Sequence, residues 1–179
     1  MYRYPFIQRL LHWTIAVLVI GALAVGMIFG FLEYKGTVET FGQAMTNTLY
    51  KYHKTFGVII LGLMILRIVV KLRRGKPEYE TPLTPFEKKA SGAVHGLLYI
   101  LVAAMPVTGW LATGASGFPV EFFHWNLPPI LAKDKELGAF LYEAHGVIGW
   151  LILILVAVHI GAALKHAFVK KDRVLRRML

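Results

Sequence analysis

The sequence predicts an all-α membrane protein built as a bundle of four transmembrane helices. Three observations lead there. The chain of 179 residues is 56% hydrophobic, with a mean hydropathy of +0.57, a more apolar composition than soluble domains usually carry. Its apolar residues gather into four stretches, near 10–32, 56–72, 92–113 and 138–168, long enough to cross a hydrocarbon core, which takes about 20 helical residues. Its basic residues alternate between connections. Of 20 Lys and Arg, 15 fall in the N-terminus, the second connection and the C-terminal tail, against 5 in the first and third connections. That is the positive-inside pattern, and it predicts both termini on the cytoplasmic side. The net charge of +10 therefore reads as a topology signal and not as a nucleic-acid footprint.

Four such helices use most of the chain. One membrane domain over 1–179 is expected, with helices near 8–32, 48–72, 85–113 and 135–169. Arg3 and Arg9 precede a long apolar run with no small-residue cleavage site, so the first helix is expected to be retained rather than removed as a signal peptide. The chain has no cysteine. That excludes disulfides, thiolate metal sites, iron–sulfur clusters and covalently attached haem.

The first helix begins at Phe6 or Gln8 and reaches about Leu32. His12 lies one turn after Arg9, at the cytoplasmic end, with Trp13 at the interface. Gly21, Gly26 and Gly30 are places where a neighbouring helix or a flat ring can come close. The outer connection, Glu33 to about Asn47, is short and polar, with Thr46 or Asn47 as N-cap of the second helix. Tyr50 and Tyr52 follow at the interface. His53 comes within two turns of the outer end, and Gly57 leaves room one turn on. Arg67 stands fourteen residues past His53, on the same face and roughly 21 Å deeper. There it either meets a partner, a propionate of an inner cofactor being the candidate, or snorkels toward the cytoplasm with Lys71, Arg73 and Arg74.

The inner connection, 73–90, is charged and holds Pro77, Pro82 and Pro85. Thr84-Pro85-Phe86-Glu87 reads as a helix start, with Thr84 as N-cap, proline first and glutamate third. The third helix carries His95 between Gly92 and Gly96, and Pro106 frees the Val102 carbonyl. The longest connection, about 113–136, mixes Gly114, Gly117, Phe118-Pro119, Phe122-Phe123-His124-Trp125 and Pro128-Pro129. Turn formers interleaved with aromatics suit a lid over the outer end of the bundle, not a flexible linker. Asp134 caps the fourth helix, which extends to about Val169, roughly 50 Å.

The fourth helix carries His145 and His159, fourteen residues apart. That step rises roughly 21 Å and returns to within about 40° of the same face. Two levels on one face suit two flat cofactors stacked across a membrane. His53 and His145 then form an outer pair, and His12 and His159 an inner one. Histidine is costly inside a membrane and tends to be functional there, and imidazole is an ordinary axial ligand of haem iron. A helical histidine can donate Nδ1–H to the carbonyl four residues back, here Gln8, Leu49, Leu141 and Leu155, which leaves Nε2 for the metal. His95 and His166 are alternative partners for His12, because His12 is one turn from Arg9 while His159 is six residues before Lys165. Otherwise His95 serves as a propionate contact or proton relay and His166 as an interfacial base, while His124 stands in the lid. A haem-free bundle with histidines in polar contacts or on a proton path is the competing reading. Zinc is weaker, for no H-x-x-x-H occurs and carboxylates are scarce in the spans.

At these residues the chain resembles the bacterial cytochrome b561 family, the four-helix di-haem proteins of the inner membrane. The resemblance lies in Arg9-Leu10-Leu11-His12-Trp13, in Tyr52-His53-Lys54-Thr55-Phe56-Gly57, and in Arg67 at its spacing. It continues in His95-Gly96-Leu97-Leu98-Tyr99 with Pro106 and Gly109, and in Ala144-His145 followed by His159. It closes with Leu164-Lys165-His166-Ala167-Phe168 and Lys171-Asp172-Arg173-Val174-Leu175-Arg176-Arg177-Met178. The match covers essentially the whole chain.

The resemblance implies two non-covalent haem b groups stacked between the helices, with His53 and His145 as iron ligands outside and His12 and His159 inside. It also implies a place in the bacterial inner membrane and electron exchange with quinone. Some members are described as oxidising superoxide at the periplasmic face and passing the electron to ubiquinone; related haem-b subunits anchor formate dehydrogenases or hydrogenases. The expected function is thus a quinone-linked oxidoreductase of the superoxide-oxidase type. The alternative is a haem-b anchor relaying electrons between a separate dehydrogenase, hydrogenase or other redox partner and the quinone pool. Arg67, His95 and His166 are the candidate catalytic residues, and Arg67 and His95 also candidate cofactor contacts. The expected partners are the bilayer, quinone, and superoxide or a periplasmic redox protein. Lys51, Lys54, Lys133 and Lys135 would draw an anion to the outer face, opposed there by Glu33, Glu39, Glu121, Asp134, Glu136 and Glu143.

Overall fold

Four helices carry the fold in the computed structural model, which describes residues 2–80 and 83–179. They are α1 (Phe6–Phe41), α2 (Gln43–Arg74), α3 (Pro85–Ala115) and α4 (Lys135–Leu164). Each contains a segment long and apolar enough to cross a membrane. Pro82, one of the three prolines expected in the inner connection, lies outside the described residues. α1 packs on α2, α2 on α3, α3 on α4, and α4 back on α1. Large apolar side chains point outward, Val17 at 68% and Phe140 at 65% exposure among them, as lipid solvent requires of a bundle whose backbone is satisfied within each helix.

The inward faces explain the arrangement. On α2 the run His53, Gly57, Ile60, Met64, Arg67 steps by four, three, four and three. On α4 the run His145, Gly149, Ile152, Val156, His159 does the same. Both are single stripes of a 3.6-residue helix. Their middles meet Ile15, Val19, Leu23 and Val102 in one apolar cluster. Met64 and Ile152 are almost wholly buried there. The histidines thus flank an apolar layer, one pair at either end.

Two starts follow local chemistry. Thr84 accepts from Glu87 N, and Glu87 Oε2 accepts from Thr84 N at 3.1 Å, which closes a capping box in front of α3. Asp134 Oδ1 accepts from Glu136 N and Leu137 N and starts α4.

The first outer connection differs from the expected loop. Thr46 and Asn47 cap nothing. The first helical run does end near Leu32, as expected, because Glu33 (φ 55°, ψ −176°) breaks it, but a second helical stretch then reaches Phe41 and α2 starts at once after Gly42. The stretch after Glu33 has a single glycine and no proline, and its threonines bond back into the helix: Thr37 to Glu33 O and Thr40 to Gly36 O. Gly42, at φ 78°, is the residue that can turn the chain. Thr46 is buried inside α2, and its N–H reaches Gly42 O.

The long connection after α3 does form a lid, and it contains a hairpin the sequence did not announce: β1 (Val120–Phe122) against β2 (Trp125–Leu127). α2 anchors it. Thr55 Oγ1 donates to Glu121 O at 3.2 Å and accepts from Phe123 N. Lys54 pairs with Glu121 at 2.6 Å. Trp110 Nε1 donates to Pro128 O.

At the opposite end the tail folds back across the start of α1. A π-helical turn, Lys165–Lys170, ends at Lys171 with φ 53°. Arg177 is then buried over the rings of Tyr4 and Tyr79 and donates to Pro77 O. Trp13 Nε1 donates to Met178 O. The last residues thereby tie α1 to the connection between α2 and α3.

Candidate functional site

At the hairpin end, His53 on α2 and His145 on α4 face each other across the bundle. Their ring centres are 6.2 Å apart and their planes cross at 79°. They border a cavity of about 1250 Å³ that runs from the apolar layer to Pro119 and Glu121 of the lid. Gly26, Gly57 and Gly109 line it. Gly26 is the glycine of α1 that lies against His53; a Cβ there would stand 3.4 Å from His53 Cε1. Gly21 and Gly30 meet nothing within 4 Å.

At the termini end, His12 on α1 and His159 on α4 have ring centres 6.1 Å apart with perpendicular planes. The two rings meet although His12 is one turn from Arg9 and His159 is six residues before Lys165. α1 starts at Phe6, and the folded-back tail reaches its first turns through the Trp13–Met178 bond. His95 on α3 joins them, its ring centre 5.1 Å from that of His159.

The spacing of the pairs is chemically informative. Iron bound by one nitrogen of each ring at about 2 Å, each nitrogen about 1.1 Å from its ring centre, separates the centres by roughly 6 Å. Both cross-bundle pairs have that separation; His95 and His159 are closer than it. Over residues 3–179 the chain matches the family described as prokaryotic cytochrome b561.

The chain belongs to that family. Among its relatives, cytochrome b561 homolog 2 of Escherichia coli is 29% identical over 99% of this chain and 91% of its own length. Cytochrome b562 of Cereibacter sphaeroides is 31% identical over 98% of this chain and 94% of its own. A probable superoxide oxidase of Yersinia pestis is 26% identical over 99% of this chain and 96% of its own. Membership in the cytochrome b561 family makes this a membrane electron-transfer protein and implies haem b.

The residues present fit that group. His53 Nδ1 is buried without a hydrogen-bond partner among the described residues. His145 Nδ1 is 2.9 Å from Met105 O and 3.3 Å from Thr108 Oγ1. Both oxygens draw the proton to Nδ1 and leave Nε2 as the free donor atom. Arg67 supplies a cation at the termini end. Its Nε donates to the Tyr99 hydroxyl at 2.9 Å, while Nη1 is buried and unpaired among the described residues. A guanidinium left half-satisfied in a membrane protein calls for an anionic oxygen. Lys71 Nζ stands 3.9 Å from the centre of the same Tyr99 ring.

Several expectations need correction. The carbonyls four residues back do not hold the four histidines. His145 uses Met105 O across the helix interface instead of Leu141 O, because α3 comes within reach at Gly109. Among the described residues, no bond joins His12 to Gln8 O, His53 to Leu49 O or His159 to Leu155 O. The four-back bond occurs at His95, whose Nδ1 lies 2.6 Å from Ser91 O. His166 is turned away from the inner pair. Its Nδ1 is 2.5 Å from Asp172 Oδ2 and its Nε2 is 4.0 Å from Glu87 Oε1. His124 is exposed at the hairpin turn. Sequence reasoning missed Tyr99 and Thr108 as site residues. Tyr99 had a signal, for it lies four residues after His95 and so on the same face. Thr108 had none, since its partner is a backbone carbonyl.

Proposed function

We propose that this protein is a bis-histidine di-haem conduit that carries electrons between its hairpin face and membrane quinone. His53 and His145 would hold one haem b, and His12 and His159 the other. The observation that carries the reading is the equal separation of the two cross-bundle pairs, 6.2 and 6.1 Å, at the two ends of an apolar layer. Haem b supplies reversible one-electron storage when bound. The remaining roles belong to the chain. Arg67 offers its unpaired Nη1 to a propionate. Ile152, Met64 and their neighbours exclude water between the two levels. His95, held by Ser91 beside His159, is positioned to take up or pass a proton at the termini end. The basic termini and second connection support a cytoplasmic placement of that end in a bacterial inner membrane, with the hairpin periplasmic.

The proposed reaction is superoxide oxidation coupled to ubiquinone reduction. Two superoxide ions each give up one electron and leave as dioxygen; ubiquinone takes both electrons with two protons and becomes ubiquinol. The Yersinia pestis relative, matched over nearly its full length, favours this donor. The test is ubiquinol formation by the purified protein in proteoliposomes supplied with a superoxide generator. Protein-dependent ubiquinol, lost in His145→Ala, is expected. Haems that superoxide cannot reduce, in a protein that co-purifies with a large dehydrogenase, would replace this reading with that of an anchor subunit.

A further inference from the structure

The histidines of the hairpin-end pair are held differently, and the difference lies on α3. Met105 O is 2.9 Å from His145 Nδ1. Thr108 Oγ1 donates to the same carbonyl at 2.8 Å and lies 3.3 Å from Nδ1. Because the hydroxyl hydrogen is committed to Met105 O, its lone pair faces the ring. Nδ1–H therefore stands between two acceptors. A flipped ring would set a C–H against two oxygens, and the other tautomer would set a lone pair against the Met105 carbonyl, which can only accept. Gly109 completes the arrangement: a Cβ there would stand 2.9 Å from His145 Cε1 and 3.1 Å from Nδ1, so only glycine lets the ring lie against the α3 backbone. His53 Nδ1 has no hydrogen-bond partner among the described residues.

We propose that Thr108, with the Met105 carbonyl and Gly109, is the positioning device of the hairpin-end site: it fixes the tautomer and ring orientation of His145 and sets the electron density of that ligand. The proposal rests on His145 being an iron ligand. Two acceptors on Nδ1–H push the imidazole toward imidazolate character, and a more electron-rich ligand favours the ferric state. Removing one acceptor therefore raises the potential of that haem and leaves the other unchanged.

The test uses the purified full-length protein with its haems. Redox titration and low-temperature EPR are recorded for Thr108→Val, Thr108→Ser and Gly109→Ala, and the hairpin-end component is identified by its loss in His145→Ala. Thr108→Val is expected to keep both haems, with one component shifted to higher potential and its low-spin EPR signal displaced. Thr108→Ser is expected to restore both features. Gly109→Ala is expected to lower haem content by up to one per chain. If His145→Ala loses one haem while Thr108→Val matches wild type in both readouts, the positioning proposal fails alone. If His145→Ala retains both haems, the ligand reading fails and takes the proposal with it. Should Thr108→Val not fold, an unshifted Gly109→Ala with full haem content overturns the proposal.

Discussion

The two ends of the bundle present the same cross-helix histidine pair in different settings. At the hairpin end the rings border a large cavity, His145 is locked to α3, and a small lid is pinned to α2 by Thr55 and Lys54. At the termini end a third histidine, an arginine and a tyrosine crowd the pair, and the tail straps α1 to the α2–α3 connection. One site is shaped by packing and backbone contacts, the other by charge. Equal spacing of two histidine pairs thus does not make equal surroundings. The hairpin end holds one histidine ring against α3; the termini end gathers His95, Arg67 and Tyr99 around its pair.

The largest expected effects break one end and spare the other. His145→Ala should lower the haem-to-protein ratio by one with the second haem still low-spin, and His12→Ala should remove the other. Pyridine haemochrome quantification with EPR reads both. Next comes Arg67→Gln. At an effective dielectric near 20, a unit charge at roughly 8 Å would contribute about 2 kcal/mol, on the order of 90 mV for one electron. Its loss should lower the potential of the termini-end haem by that order and leave the hairpin-end haem in place, as redox titration would record. A smaller effect is expected from Thr55→Val, which removes Thr55's two bonds to the lid. At about 1 kcal/mol each, it should speed hydrogen exchange across Val120–Leu127 by roughly ten- to thirtyfold without haem loss. Asp134→Ala deletes the α4 cap and should destabilise by about 1 kcal/mol, seen as a lower midpoint in thermal denaturation. The smallest effect concerns salt. Lys54 is neutralised by Glu121 and Lys35 stands 3.9 Å from Glu39, so haem reduction by superoxide should change by less than about threefold between low and physiological ionic strength. A steep salt dependence would show that the outer face steers anions after all.

The legible part of this molecule was its periodicity. Four apolar runs of spanning length and the fourteen-residue steps from His53 to Arg67 and from His145 to His159 could be read directly, since both follow from helix geometry. The Thr84 and Asp134 caps were equally visible, because capping is local chemistry. What stayed hidden depended on partners distant in sequence. Met105 O carries no side-chain signal, so the hold on His145 could not be read from residue types. The hairpin turns at Phe123-His124 with Phe123 at φ 54°, a position where turn chemistry favours glycine or asparagine. The start of α2 was sought at Thr46 and Asn47 because they are good caps, whereas Gly42, at positive φ, sets it, with Glu33 breaking the chain before it. Arg177 looked like one more basic tail residue, yet it is buried over two tyrosines.

The most direct test of the account is the haem-to-protein ratio of the purified protein, taken with a dithionite-reduced minus oxidised spectrum. Two low-spin b-type haems per chain are expected. One haem per chain would contradict it, and the crowded termini-end pair, with His95 competing for His159, would be the first to re-examine.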